Sequence, residues 1–375
     1  MSKPQKESLG KYIEVFTDYH SNGSYEVLKN HVELLDKKNY AIMIRTLNLE
    51  RNDFSKDLLY ITREAYDFLE KSKVYPNDIL MNKIANPGSL YIMPDLGEKV
   101  SCGMNLFLIR FKKTVDQRYM YYCMKNSEAY IKSLAHGTTT KTITKEEVRD
   151  IELAIFTKVE YQKKIANLLT AIDEKIEKNN EINDNLQQMA FTTYMHLFFK
   201  KKPNGKLCDI LLENEKSPIQ VGEAKNSSGV YPFFTSGDAI LEWQDYLVDG
   251  RNCFLNTGGN ADVKFYVGKA AYSTDTWCVT AKYNLTDYMY LLLFSIKLEL
   301  NKKFFQGTGL KHLQKPLLKD RGIYIPSENE IKAFNEQILP KFSLISENIR
   351  ENQRLTALRN WLLPMLMNGQ AVVTD

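Results

Sequence analysis

Residues 160–199 (EYQKKIANLLTAIDEKIEKNNEINDNLQQMAFTTYMHLFF) contain neither glycine nor proline, and apolar residues recur along them at helical spacing. Ile165, Leu169, Ile172, Ile176, Leu186, Ala190 and Leu197 fall on a four-three ladder, with Asn179 and Asn183 on two polar rungs in its middle. At ~1.5 Å of rise per residue such a helix is about 60 Å long, more than a small domain is wide. Residues 327–368 repeat the pattern at the end of the chain. There Pro340 lacks the backbone donor a helix needs, so a kink or restart is expected at that point.

The sequence around these two stretches reads as mixed α/β. In the first half, residues 40–47 (YAIMIRTL) have strand composition, residues 63–73 read as a short amphipathic helix, and residues 78–81 and 106–111 read as buried strands. Asn86-Pro87-Gly88 is a turn, residues 117–133 a helix, and His136-Gly137-Thr138-Thr139-Thr140-Lys141 a polar loop before residues 148–156 and the long helix. In the second half, residues 231–234 and 253–256 read as strands and Thr257-Gly258-Gly259-Asn260 as a tight turn. Residues 287–300 read as a helix, and Gly307-Thr308-Gly309-Leu310-Lys311-His312 as a loop matching the earlier one.

The match is explicit. Gly137-Thr138, Lys141, Lys145 and Asp150 recur as Gly307-Thr308, Lys311, Lys315 and Asp320 at a constant offset of 170 residues (137 to 307). After a small slip, Ile176, Asn179 and Ile182 match Ile349, Asn352 and Leu355 at an offset of 173 (176 to 349). One half of the chain is a diverged copy of the other. Two equivalent helices from one chain can pack through their apolar seams, and short connections leave them antiparallel, with one globular domain at each end. Asn179 and Asn352 either pair across that seam and set its register, or lie on its solvated face.

Composition changes this picture little. With 43% hydrophobic and 26% charged residues the chain is an ordinary globular protein, and its net charge of +4 permits a nucleic-acid partner without requiring one. The five scattered cysteines contain no C-x-x-C pair, the N-terminus has no apolar leader, and no run of about eighteen apolar residues occurs, so a reducing, cytoplasmic setting with no membrane contact is expected. Nucleotide-binding and nucleophile signatures (GxxxxGK[ST], GxGxxG, GxSxG) are missing. The five histidines are isolated, with no i,i+4 pair for a metal. One catalytic pattern stands: Asp209 with Glu223-Ala224-Lys225 has the make-up of a metal-dependent nuclease site. The alternatives to a nucleic-acid reader are therefore a stand-alone nuclease using those three residues, or a helical scaffold that binds protein.

The loops carry short donors and acceptors beside glycines, which is what base and phosphate recognition uses. In the first half these are Arg45, Thr46, Asn48, Asn82, Lys83, Asn86, Thr138 and Lys141. In the second they are Tyr231, Thr235, Ser236, Asn256, Asn260, Lys264, Thr308 and Lys311. No catalytic, cofactor-binding or metal-binding residue is assigned.

Several phrases resemble the DNA-specificity (S) subunit of Type I restriction–modification systems. They are Tyr231-Pro232-Phe233-Phe234-Thr235-Ser236-Gly237, Gly307-Thr308-Gly309 with Lys311 and Leu313, Asp320-Arg321-Gly322-Ile323-Tyr324-Ile325-Pro326, and Trp361-Leu362-Leu363-Pro364-Met365-Leu366-Met367-Asn368-Gly369. In the first half Asp78-Ile79-Leu80, Gly137-Thr138 and Glu160-Tyr161-Gln162-Lys163-Lys164-Ile165 look like their counterparts. Two departures stand out: Phe156 replaces the proline found at Pro326, and the first half opens without a Tyr-Pro-x-x-Thr-Ser phrase. The resemblance implies two target-recognition domains, residues 1–157 and 201–325, with spacer helices at residues 158–200 and 326–375 forming an antiparallel coiled coil. It also implies a non-catalytic subunit that reads double-stranded DNA at two unlike half-sites and docks two modification (methyltransferase) subunits and restriction subunits. S-adenosylmethionine, ATP and Mg2+ would belong to those partners.

Overall fold

In the computed structural model residues 3–138, 140–227 and 229–373 are described. Thr139, read above as a loop residue, and Ser228 lie outside them. The chain divides into two compact units, residues 1–174 with 356–375, and residues 175–355.

The first unit is built on short, largely apolar strands, several of them buried along their whole length. Strands β1 (Ile13–Asp18), β2 (Ala41–Ile44), β3 (Ile79–Asn82), β4 (Leu90–Ile92), β5 (Val100–Cys102) and β6 (Leu106–Phe111) supply most of it. One antiparallel sheet has the order β1-β6-β3-β4, and in a second sheet β2 runs parallel to β5. Helix α1 (Thr46–Arg51) follows β2 directly, so Thr46 and Asn48, expected in a loop, are helical. Helix α2 (Gln117–Asn126) packs on β4 and β6. The expected helix 117–133 is interrupted at Ser127, whose ψ of 14° leaves the α region. Helix α3 (Lys145–Arg149) carries a capping box in which Thr144 and Glu147 satisfy each other's backbone N–H groups.

Helix α4 (Val159–Leu197) is the long helix read from the sequence. Its first turns belong to the first unit, where Ile165, Ala166 and Leu169 share a core with Tyr119, Phe156, Leu366 and Met367. The chain's tail is therefore part of the first unit. Gly369 (φ +70°) ends the last helix there, and the Gly369 and Gln370 N–H groups return to the Leu366 and Met365 carbonyls at 3.2 and 2.8 Å.

The second unit repeats the first. Strands β7 (Leu211–Glu213), β8 (Tyr231–Phe234), β9 (Arg251–Asn256), β10 (Val263–Val267), β11 (Ala271–Tyr272) and β12 (Thr276–Ala281) form an antiparallel sheet β7-β12-β9-β10, with β8 parallel to β11 in a second sheet. Helices α5 (Thr286–Ser295) and α6 (Lys315–Lys319) correspond to α2 and α3. The expected helix 287–300 breaks once, at Ile296 (ψ 16°), resumes as a turn over Lys297–Glu299 and widens at Leu300–Phe304.

Helix α7 (Glu328–Met367) runs unbroken through Pro340, so of the kink or restart expected there the restart does not occur. Pro340 stands on the exposed face together with Glu336, whose carbonyl loses its helical donor, while Ile338 and Phe342 on either side are buried. Packing on that inner face holds the turn despite the missing bond. In the second unit α4 and α7 pair antiparallel. The Asn348 Nδ2 donates to Asn183 Oδ1 at 2.8 Å, and the Asn179 Nδ2 to Asn352 Oδ1 at 2.9 Å and Glu351 Oε2 at 2.7 Å. Of the two readings of these asparagines, pairing across the seam is the one observed. Leu197 was placed on the apolar ladder but is exposed; Tyr194 and Phe198 fill that place.

Candidate nucleic-acid interface

At one end of the first unit, the residues that follow β3 meet the Gly137 loop. Gly137 has φ +115°, and a Cβ there would lie 2.5 Å from the Thr140 carbonyl oxygen, so only glycine fits. His136 and Thr142 exchange backbone hydrogen bonds of 3.0 and 2.9 Å that close the loop, and Ile143 N–H donates to the Lys83 carbonyl at 3.3 Å, tying it to the end of β3.

The second unit has the same construction. Gly307 (φ +146°) sits in the equivalent turn, where a Cβ would lie 2.7 Å from the Leu310 carbonyl oxygen. Gln306 and His312 pair as His136 and Thr142 do, and Leu313 N–H donates to the Thr257 carbonyl at 3.0 Å. The shared frame also shows what the sequence concealed. The backbone N–H of Gly103 donates to Ile44 O as that of Ser273 does to Phe234 O, both at 2.9 Å, so Arg45-Thr46 occupies the place of Thr235-Ser236.

On this frame the residues singled out in the sequence divide into two groups. One group holds the frame. The Oδ1 of Asn48 accepts from Arg45 N–H at 3.2 Å and its Nδ2 donates to the Lys56 carbonyl, while the Arg45 guanidinium donates to the Asp57 carbonyl. Thr46 is half-buried at the start of α1. Asn82 and Asn256 end equivalent strands, both buried. The Asn82 Nδ2 donates to Glu50 Oε1 at 3.2 Å, and the Asn256 Nδ2 to the Ser236 and Asn260 carbonyls at 2.8 and 3.1 Å. The Oδ1 of each has no partner among the described residues. Gly237 N–H donates to Thr235 Oγ1 at 3.1 Å, Ser236 Oγ donates to the Asp275 carbonyl, and the Lys264 ammonium donates to the Thr235 carbonyl at 2.7 Å and to the Gly237 carbonyl. Burial pulls the Lys264 pKa below the usual lysine value.

The other group is exposed at the loop tips: Asn86, Thr138 and Lys141 in the first unit, Asn260, Thr308 and Lys311 in the second. Lys83, its ammonium bonded to Asp18, belongs with the first group, and Tyr231 belongs to neither. It begins β8, at the other end of that strand from Thr235, with its ring 5.4 Å from that of Tyr246.

Two further features of the frame went unassigned in the sequence. Asp18, at the end of β1, accepts from Lys83 at 2.9 Å and from Lys145 at 3.2 Å. Burial opposes its ionisation, but hydrogen bonds from Ser21, Lys83 and Lys145 outweigh that and hold its pKa at about 2. The Lys145 ammonium also lies 5.9 Å from the Phe107 ring centre, and Lys315 lies 4.8 Å from that of Trp277. The recurrence of Lys145 as Lys315 was the sequence signal that could have found this pair.

The nuclease pattern does not assemble. Asp209 accepts from the Lys206 N–H at 2.7 Å and Glu223 from the Gln220 N–H at 2.8 Å, each capping the start of its own short helix. Among the described residues no group of three or more His, Cys, Asp or Glu gathers in a way that could hold a metal ion. No helix among them is long and apolar enough to cross a membrane.

Comparison with known proteins agrees with the repeat. The family model described as Type I restriction modification DNA specificity domain matches twice, over residues 18–188 and 199–359. The Type I restriction enzyme MjaIX specificity subunit of Methanocaldococcus jannaschii is 22% identical over 370 residues, covering 85% of each chain. A putative type I specificity subunit of Mycoplasma pneumoniae, S.MpnORF638P, is 31% identical over 215 residues, 56% of this chain; the match spans about half (52%) of that relative's length. The fold is similar to the crystal structure of a Type I restriction–modification S subunit from M. genitalium, with a TM-score of 0.62 at 14% identity, covering 96% of this chain and 95% of that one.

Proposed function

The chain belongs to the Type I restriction modification DNA specificity family, and we propose that its two units are unlike reading heads for a bipartite, asymmetric DNA target. The observation that carries this reading is the duplicated frame with different residues on it: Arg45-Thr46 and Lys83 in one unit stand where Thr235-Ser236 and Thr257 stand in the other. Equal frames with unequal side chains suit two half-sites of different sequence. The buried Asn48, Asn82, Asn256 and Lys264 position the loops. The exposed Asn86, Thr138, Lys141, Asn260, Thr308 and Lys311 contact the duplex, with Asn reaching base edges and Thr and Lys taking phosphates. Residues 1–157 and 201–325 are the heads, and residues 158–200 and 326–375 the helices whose paired register sets the unspecified spacer between half-sites.

In this reading the chain does no chemistry. It works in the cytoplasm with two modification subunits, which supply S-adenosylmethionine-dependent adenine methylation, and with ATP- and Mg2+-dependent restriction subunits. Exchange of residues 11–157 for the corresponding head of another such chain tests it. Methylome sequencing of cells carrying the hybrid and the modification subunit is expected to show one half-site changed and the other retained. Change in both half-sites, or in neither, refutes the assignment of one head to each.

A further inference from the structure

The reading loops of the second unit lie at the Asn256 and Thr276 end of the β7-β12-β9-β10 sheet. The opposite end, where β9 begins at Arg251 and β12 finishes at Ala281, opens into a groove of about 1140 Å3 against the first turns of α7. Its apolar lining includes Leu285, Ile325, Ile331 and Leu339. On its rim Tyr283 is 75% exposed, and both Tyr283 and Asn284 hold φ near +57°, a conformation that side chains other than glycine rarely adopt.

Asn335 lines this groove and is 8% exposed. Its Nδ2 donates to the Asn284 carbonyl at 2.9 Å, while its Oδ1 has no partner among the described residues. The first unit shows what is missing. In the helix register that aligns Asn179 with Asn352, the residue matching Asn335 is Gln162. Gln162 is fully buried: its Oε1 accepts from the Asp116 N–H at 2.7 Å, and its Nε2 donates to the Phe156 carbonyl at 2.6 Å. The longer amide seals the corner by bridging the start of α2 to the strand end before α4. Asn335 is one methylene shorter, bonds through one end only and leaves its acceptor unmatched.

The groove's charge limits what covers it. Arg251 and Asp287 neutralise each other through bonds of 2.6 and 2.7 Å. Asp249, Glu328 and Glu336 have no cationic partner among the described residues, against the one cation Lys332. A net acidic face repels phosphates, so DNA is not the occupant. We propose that this groove receives a segment of a modification subunit that carries a lysine or arginine beside an apolar side chain. The apolar residue rests on the Leu285–Ile331 floor, the cation meets Glu328 and Glu336, and an N–H of the segment satisfies Asn335 Oδ1. This rests on the proposed function and goes beyond it: the first unit, sealed by Gln162, lacks the contact, so the two modification subunits are held unequally.

Titration of the purified modification subunit into the full chain, followed by native mass spectrometry, tests it. The wild-type chain is expected to fill two sites of unequal affinity. Glu328→Lys with Glu336→Lys, on the exposed face of α7, is expected to weaken one site by about tenfold and leave the other unchanged. Asn335→Gln, which supplies the longer amide, is expected to weaken the same site. Wild-type affinity at both sites in these variants, with Asn335→Gln merely raising the melting temperature, would show the groove to be a packing gap and overturn the proposal. Equal weakening of both sites overturns it too. A wild-type chain that takes up no modification subunit sinks the proposed function itself, and this inference with it.

Discussion

Replacing Asn179 by alanine tests the polar seam between α4 and α7. Asn179 is 1% exposed and donates to Asn352 Oδ1 at 2.9 Å and to the Glu351 carboxylate at 2.7 Å. Truncation leaves Asn352 Oδ1 without that donor inside the seam. An unmatched acceptor costs about 1–3 kcal/mol where buried, with the half-buried Asn352 at the lower end, and the lost neutral bond is worth about 1 kcal/mol. Alanine returns about 0.6 kcal/mol of helix propensity. The half-buried Glu351 carboxylate keeps its ion pair with Lys175 at 3.3 Å, and Asn352 keeps its own bond to Asn180 Oδ1 at 2.8 Å. The net loss is about 2 kcal/mol, a shift of about 1 M in the urea midpoint for a slope near 2 kcal/mol per M. The double substitution Asn179→Leu, Asn352→Leu removes both polar partners and is expected to match or exceed wild-type stability, because the seam then packs as an apolar pair. Urea unfolding followed by circular dichroism reads both. A single variant within ~0.5 kcal/mol of wild type, or a double variant as weak as the single, refutes the reasoning that this pair is a matched, buried hydrogen bond.

Three other outcomes follow from the loops and their frame. Asp18 is held at a pKa of about 2 against an ordinary value of 3.8, so its stabilisation is complete above pH ~4 and is lost as the pH falls towards 2. That is at most about 2 kcal/mol, and thermal melts between pH 5 and 2.5 are expected to steepen for the wild type relative to Asp18→Asn. Gly307→Ala places a methyl group 2.7 Å from the Leu310 carbonyl at φ +146°, which strains the loop by about 1–3 kcal/mol. Methylome sequencing is expected to show recognition relaxed at one half-site only. Lys141→Ala and Lys311→Ala are each expected to weaken binding evenly across sequences and to lower the slope of log affinity against log salt by about one, read by fluorescence anisotropy at several salt concentrations.

The helices and the repeat were legible in the sequence because each is written as a period. The four-three ladder marks α4, and the offset of 170 marks the strands, loops and short helices from β6 to α3 and from β12 to α6. What stayed hidden lies upstream, where that offset fails. From Ile44 to Cys102 the first unit inserts helices (Thr46–Arg51 and Arg63–Phe68) and a strand segment (Lys73–Val74) around a strand, Leu59–Ile61, that the second unit keeps as Leu241–Trp243 on its shorter path from Phe234 to Tyr272. Arg45-Thr46 is consequently out of step with Thr235-Ser236 in the sequence, although parallel pairing of the strands places both at the same point. The restart expected at Pro340 fails for a different reason: propensity is a local property, and its cost of about 3 kcal/mol is offset where Ile338 and Phe342 bury the opposite face of the same turn.

The division of polar loop residues into buried and exposed groups has a consequence for specificity. Asn82 and Asn256 are the same residue type at the same strand end, yet their amides hold different neighbours: Glu50 and Tyr91 in one unit, the Ser236 and Asn260 backbone in the other. A fixed asparagine that accepts different neighbours lets the surrounding loops change length and sequence while the strand end stays in place. Substituting a tip residue such as Asn260 therefore alters what is read, whereas substituting Asn256 releases two loops together and costs binding at every sequence of that half-site. The two kinds of variant separate in one assay. Anisotropy against a panel of duplexes mutated at single positions is expected to show a changed preference for Asn260→Ala and a uniform loss for Asn256→Ala. A changed preference for Asn256→Ala would mean that its unmatched Oδ1 itself meets a base.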